Sequence, residues 1–174
     1  MKMDKVAGSG NDEFYTPEYA VRPILKYIPT GATVWCPFDT ERSHFVRLLR
    51  ERGNKVIWSH VIEGKDFFSH TPNEPYDFIV SNPPYSLKNA VFSRLFELGK
   101  PFAMLVGVVG LFESKPRFGL FRDNTFEILY LDKRVAYFKD YDEQKPSLHP
   151  PFSSVYLTSG VLPDRIVFEE IGRA

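Results

Sequence analysis

Apolar residues fall along this chain in short blocks whose spacing alternates between helical and continuous. Ala20, Val21, Ile24, Leu25 and Ile28 recur at helical intervals between Thr16-Pro17-Glu18 and Pro29-Thr30-Gly31. That pattern predicts a helix over 17–28, with Thr16 at its N-cap and Pro17 in its first turn. Thr33-Val34-Trp35-Cys36 reads as a short buried strand. A second helix carries Phe45, Val46, Leu48 and Leu49, capped by Ser43 and ended by Gly53-Asn54, and Lys55 to Ser59 is a second strand. After a short piece at Asp66-Phe67-Phe68 and a turn-rich segment comes a fourth strand, Tyr76 to Ser81. A helix over 87–98, a strand over 102–109, a short helix over 114–122 and a strand over 126–131 follow. Arg134 to Phe138 extends that strand or stands apart, and 154–158 and 166–168 close the chain as strands. Strands alternating with helices predict an α/β fold: a mostly parallel seven-stranded sheet, helices on both faces and an antiparallel strand near the end. Residues 1–12 are expected to be a flexible segment, 13–174 a single domain, and 139–152 a mobile proline-rich loop.

One stretch departs from this rhythm. The apolar strand before it runs straight into Asn82-Pro83-Pro84-Tyr85. Two consecutive prolines remove two backbone donors and fix φ twice, and the first holds Asn82 out of the helical region. Such a rigid turn is a costly end to a strand. It lies at a strand's carboxyl end, where open α/β sheets place their ligands.

Composition narrows the field. Lys+Arg and Asp+Glu balance at 22 each, so any surface for nucleic acid must be local rather than a global positive field. A single cysteine excludes an intrachain disulfide and a thiolate zinc cluster, which suits a reducing cytoplasm. No apolar run approaches the ~20 residues of a membrane span, and Met1-Lys2-Met3-Asp4-Lys5 lacks a signal-peptide core. The expectation is a cytoplasmic protein that uses neither membrane nor metal.

Asn82-Pro83-Pro84-Tyr85 resembles the catalytic motif of S-adenosylmethionine-dependent amino-methyltransferases, above all those acting on adenine N6 in DNA. Further stretches widen the likeness: Asp12-Glu13-Phe14-Tyr15-Thr16-Pro17, then Val34 to Asp39 with Ser43 and Phe45, then Asp66-Phe67-Phe68. Together they are similar to a small, phage-associated group related to the EcoRI-type adenine methyltransferases. The resemblance implies a Rossmann-like class I methyltransferase fold without a separate target-recognition domain.

It also implies roles. Tyr15, Thr16 and Pro17 would pack by the methionine moiety of the cofactor, Cys36, Pro37, Phe38 and Asp39 would form the cofactor loop, and Asp66 and Phe67 would meet the cofactor's adenine. The Asn82 side-chain oxygen and the Pro83 carbonyl would accept both hydrogens of an exocyclic amine. A nitrogen so held is favoured in a pyramidal form aimed at the methyl sulfonium. Pro84 stiffens the turn, Tyr85 would stack on a base flipped out of a duplex, and Phe152 would stand against it.

Two departures from the general methyltransferase pattern stand out. The glycine-rich loop after the first strand is replaced by Pro37-Phe38-Asp39-Thr40-Glu41-Arg42. The second strand ends in Ser59-His60 where an acid normally takes the ribose hydroxyls, a task left to Asp39 or Glu63. Candidate DNA contacts are Lys88, Lys115, Arg117, Arg122, Lys133, Arg134, Tyr141, Lys145 and His149. A chain of this size suggests a homodimer or a recognition partner. Methylation of RNA or of a protein glutamine, or a non-catalytic binding module of the same fold, are the alternatives.

Overall fold

A computed structural model describes residues 15–143 and 152–171. The expected lead-in at 1–12, and Lys145, His149, Pro150 and Pro151, lie outside them. The strands are β1 (Thr33–Cys36), β2 (Lys55–Trp58), β3 (Phe78–Ser81), β4 (Phe102–Gly107), β5 (Glu127–Leu131), β6 (Ser154–Ser159) and β7 (Ile166–Glu169). The helices are α1 (Glu18–Leu25), α2 (His44–Glu51), α3 (Lys88–Leu98) and α4 (Lys115–Asp123). The strands form one seven-stranded sheet in the order β2-β1-β3-β4-β6-β5-β7.

Pairing is parallel from β2 through β4 and between β5 and β7. β6 alone runs against its neighbours, wedged between β4 and β5. Both faces are covered. On one, α1 and α2 pack Ala20, Val21, Ile24, Phe45, Val46 and Leu49 onto Val34, Val80, Leu105 and Tyr156. On the other, α3 and α4 pack Val91, Phe92, Leu95 and Phe121 onto Trp35, Ile79, Met104 and Leu157. β4 is buried at every position, as expected of a central strand sandwiched between two helical layers.

Several local expectations are corrected. Asp66-Phe67-Phe68 is no strand. Asp66 Oδ1 accepts the Phe68 amide at 3.0 Å, and the Asp66 carbonyl accepts those of Ser69 and His70, which curls the chain into a turn. The Asn-Pro-Pro-Tyr turn therefore follows the third strand of the chain rather than the fourth. β4 stops at Gly107 instead of 109. Among the described residues the piece 134–138 forms only a bridge, between Tyr15 and Phe138. The first helix is shorter than 17–28 and is entered from Pro17, with no side-chain cap. Ser43, by contrast, caps α2 as expected, its Oγ accepting the Phe45 amide at 3.2 Å.

Candidate active site

β1 has β2 on one side and β3 on the other, so the strand order reverses there and a crevice opens at the carboxyl ends. A buried polar network shapes it. Asp39, just past β1, accepts from the Ser43 hydroxyl through Oδ1 and from the Ser81 hydroxyl through Oδ2, each at 2.6 Å. Its amide meanwhile donates to the Ser59 carbonyl. One residue, through its carboxylate and its amide, thus joins the β1 loop, the start of α2, the end of β2 and the end of β3. Ser59 is wholly buried and accepts the Trp35 indole N–H at 2.9 Å. A loop braced in this way holds its shape without glycines.

The turn closes the other wall. Pro83 and Pro84 are buried, while Asn82 and Tyr85 are half-buried. Asn82 donates its side-chain amide to Thr16 Oγ1 at 3.2 Å, which fixes the amide plane and sets its oxygen on the opposite side. The buried Thr16 hydroxyl serves Asn82 instead of capping α1. Tyr15 is held in turn by the paired backbone bonds to Phe138, 2.8 and 3.1 Å. Its ring lies 4.3 Å from that of Tyr141. Arg42, on the β1 loop, covers the other side of that cluster, 5.2 Å from the Tyr141 ring and 2.6 Å from Asp142.

Behind the turn stands an aromatic trio. Tyr85 meets Phe152 edge-on at 5.1 Å and Tyr137 at 6.1 Å. The Phe152 ring lies on the backbone of Gly107, where even a Cβ would come within 3.1 Å of it. Tyr137 is buried and shares a 2.8 Å hydrogen bond with Ser154 Oγ. Burial pushes its phenol far up from the usual tyrosine value, against the opposing hydrogen bonds from Ser154 and Tyr85.

Asn82 with Thr16, Ser81 with Asp39, and Tyr85 with Phe152 are thus linked around one turn, and Tyr15, Pro17, Pro37 and Phe38 are the chain neighbours of Thr16 and Asp39. The Cys36 side chain is wholly buried, and burial pushes its thiol well up, so only its main chain faces the loop. Phe67 is likewise buried, packed on Trp35 at 5.5 Å and Phe38 at 4.9 Å, with Arg94 5.3 Å from its ring. The half-buried Phe38 is the ring of that pair with surface to offer.

Of the basic residues, Arg117 is occupied by the carbonyls of Leu111 and Gly110 and by Asn89. Arg122 pairs with Asp123 beside the starts of β5 and β7, at the far end of the sheet. Lys88 reaches the Tyr85 carbonyl at 3.0 Å. Lys115, Lys133 and Arg134 lie at the carboxyl-end side, where α4 begins and β5 ends. Sequence reasoning missed Tyr137 and Ser81: each reads as one more core or strand position. Among the described residues no three His, Cys, Asp or Glu side chains gather to hold a metal, and no helix is long and apolar enough to cross a membrane.

No protein-family model matches the sequence, and no curated protein does. Solved structures do. The modification subunit of a proposed type I restriction enzyme from Vibrio vulnificus superposes with a TM-score of 0.63 at 14% identity. The fold is Rossmann-like. That match covers 99% of this chain and 49% of the other, so the chain spans about half the length of that subunit. More distant likenesses are the 23S rRNA methyltransferase ErmE and a release factor-specific protein-(glutamine-N5) methyltransferase from Alicyclobacillus acidocaldarius. Their TM-scores are 0.47 and 0.40, at 15% and 20% identity, over 83% and 81% of this chain and 69% and 87% of theirs.

Proposed function

We propose that the chain is an S-adenosylmethionine-dependent methyltransferase acting on the exocyclic N6 amine of adenine in DNA. The observation that carries this reading is the 3.2 Å bond from Asn82 to Thr16, which couples the Asn-Pro-Pro-Tyr turn to the entrance of α1. An amide whose nitrogen is held by Thr16 presents its oxygen as an acceptor. That is what a planar, weakly nucleophilic amine needs at the moment it gains charge.

The residues present suit the cofactor by their chemistry: a loop braced by Asp39, the half-buried rings of Tyr15 and Phe38, and the fixed amide of Asn82. When bound, it supplies an electrophilic methyl group on sulfonium. Tyr15, Thr16 and Pro17 would line its methionine side, and Pro37, Phe38 and Asp39 its loop side. With both oxygens of Asp39 engaged by serines, the exposed Glu63 is the acid assigned to the ribose. Asn82 Oδ1 would orient the amine and accept one of its hydrogens. Tyr85 and Phe152, edge-on to each other, would hold the base and keep water from the amine.

The test has two arms. S-adenosylmethionine should raise the melting temperature of the chain. Mass spectrometry of nucleosides from DNA and RNA of expressing cells should show N6-methyladenine in DNA. Asn82→Ala should lower methylation by about 100-fold or more while leaving the cofactor-induced shift nearly intact. A chain that gives no shift at millimolar cofactor, or that methylates RNA or protein instead, overturns the reading.

A further inference from the structure

β7 is one of the two edge strands of the sheet among the described residues, β2 being the other. Its inner side is bonded to β5 through alternate residues: the Ile128 amide donates to Arg165 at 2.8 Å, and the Asp132 amide to Glu169 at 3.3 Å. Successive residues of a strand aim their backbone groups to opposite sides, so the amides and carbonyls of Ile166 and Phe168 face outward. Natural edge strands are commonly guarded by an inward charge, a proline or a bulge. Ile166-Val167-Phe168 has none of these.

Its side chains are apolar and open as well. Phe168 is 76% exposed, Ile166 53% and Tyr130, beside them on β5, 41%. Tyr130 and Phe168 stack at 5.6 Å and 17°, which makes one flat aromatic face. Next to Ile166 lies a cavity of about 470 Å³, floored by Phe126 and Ile128.

We infer that this edge joins a second copy of the chain, β7 against β7 in antiparallel register centred on Val167. The strand is self-complementary in that register. Ile166 falls opposite Phe168 of the second copy, so the outward amides and carbonyls of both residues close backbone bonds with each other. Arg165 falls opposite Glu169, whose carboxylate is held in its own copy by Lys26 and Tyr27, so no like charges meet at either end of the ladder. The Phe168 ring of each copy arrives beside Ile166 of the other, at the mouth of the cavity. A shift by one residue would turn the bonding groups away from each other. The contact is isologous and closes as a two-fold dimer, extending the sheet across both copies.

Sedimentation equilibrium of the full chain should show a concentration-dependent dimer. Phe168→Lys should make it monomeric while each copy stays folded and loses only the concentration-dependent part of its melting temperature, because that side chain is mostly exposed in one copy. Val167→Cys tests the register. Across a non-hydrogen-bonded pair the Cα atoms stand about 4.5 Å apart, within disulfide range. Mild oxidation should therefore link the copies, while the buried native Cys36 stays reduced. A wild-type chain that stays monomeric at every concentration, a dimer that Phe168→Lys leaves intact, or a Val167→Cys dimer that does not cross-link would each overturn the inference. So would a native mass showing a foreign strand bound at this edge in place of the second copy.

Discussion

The carboxyl-end crevice and the β7 edge treat polar and apolar groups in opposite ways. At the crevice, polar side chains are buried and matched: Asp39 with Ser43 and Ser81, Ser59 with Trp35, Tyr137 with Ser154. At the β7 edge, Ile166 and Phe168 are left in the open with charges at the flanks. Burying a polar group is costly unless it is fully bonded, so a matched network fixes one geometry and excludes others. An apolar edge fixes nothing until something covers it. The first pattern suits a site that must be ready before its ligand arrives, the second a surface completed by association.

The contrast can be broken at its strongest point. Asp39→Ala would strand the buried Ser43 and Ser81 hydroxyls together and should destabilise the chain by about 3 kcal/mol, read by urea unfolding. An effect under about 0.5 kcal/mol would mean that the loop is not braced by this carboxylate. Tyr137→Phe removes one buried bond and should cost about 1 kcal/mol. It should also loosen the packing behind Tyr85, seen as faster exchange of its ring environment by NMR.

Alkaline titration sharpens the same comparison, because burial pushes the Cys36 thiol and the Tyr156 phenol well up. The folded state then holds protons that the unfolded chain releases first. Stability should fall as pH rises above the unfolded-thiol value of about 8.5, and further above about 10, where unfolded tyrosines ionise. Cys36→Ala should remove the first part of that slope. The smallest expected effect lies at the open edge: Phe168→Lys should change the unfolding free energy of the isolated copy by less than about 0.5 kcal/mol.

Much of the fold was legible because its signals are local. β1 matched its apolar run residue for residue, Ser43 capped α2, and β6 emerged as the antiparallel strand. The failures share a physical cause: a local preference gave way to a partner far along the chain. Thr16 reads as a helix cap, yet its hydroxyl is taken by Asn82. The resemblance sets Phe67 against the cofactor's adenine, and the positions of Trp35 and Phe38 are what bury its ring. Arg134 to Phe138 reads as an extension of the preceding strand or a separate piece, but among the described residues its β-partner is Tyr15 alone. In the site, Asn82 and Tyr85 stood out through the prolines between them. Ser81 and Tyr137 gave no sign, because a serine after an apolar strand and a tyrosine among apolar residues are common in any sheet.

The wedging of β6 between β4 and β5 also sets an order of events. β2, β1, β3 and β4 pair with one another using residues 33–107, and nothing later in the chain is needed to align them. β5 and β7 have no such route, since among the described residues their strand pairing to the rest of the sheet passes through Ser154–Ser159. Joining the two parts waits on a contact distant in sequence, the kind that forms slowly. Until β6 arrives, the growing sheet ends at β4, whose apolar side chains have no strand beside them, and refolding should pass through that half-built sheet.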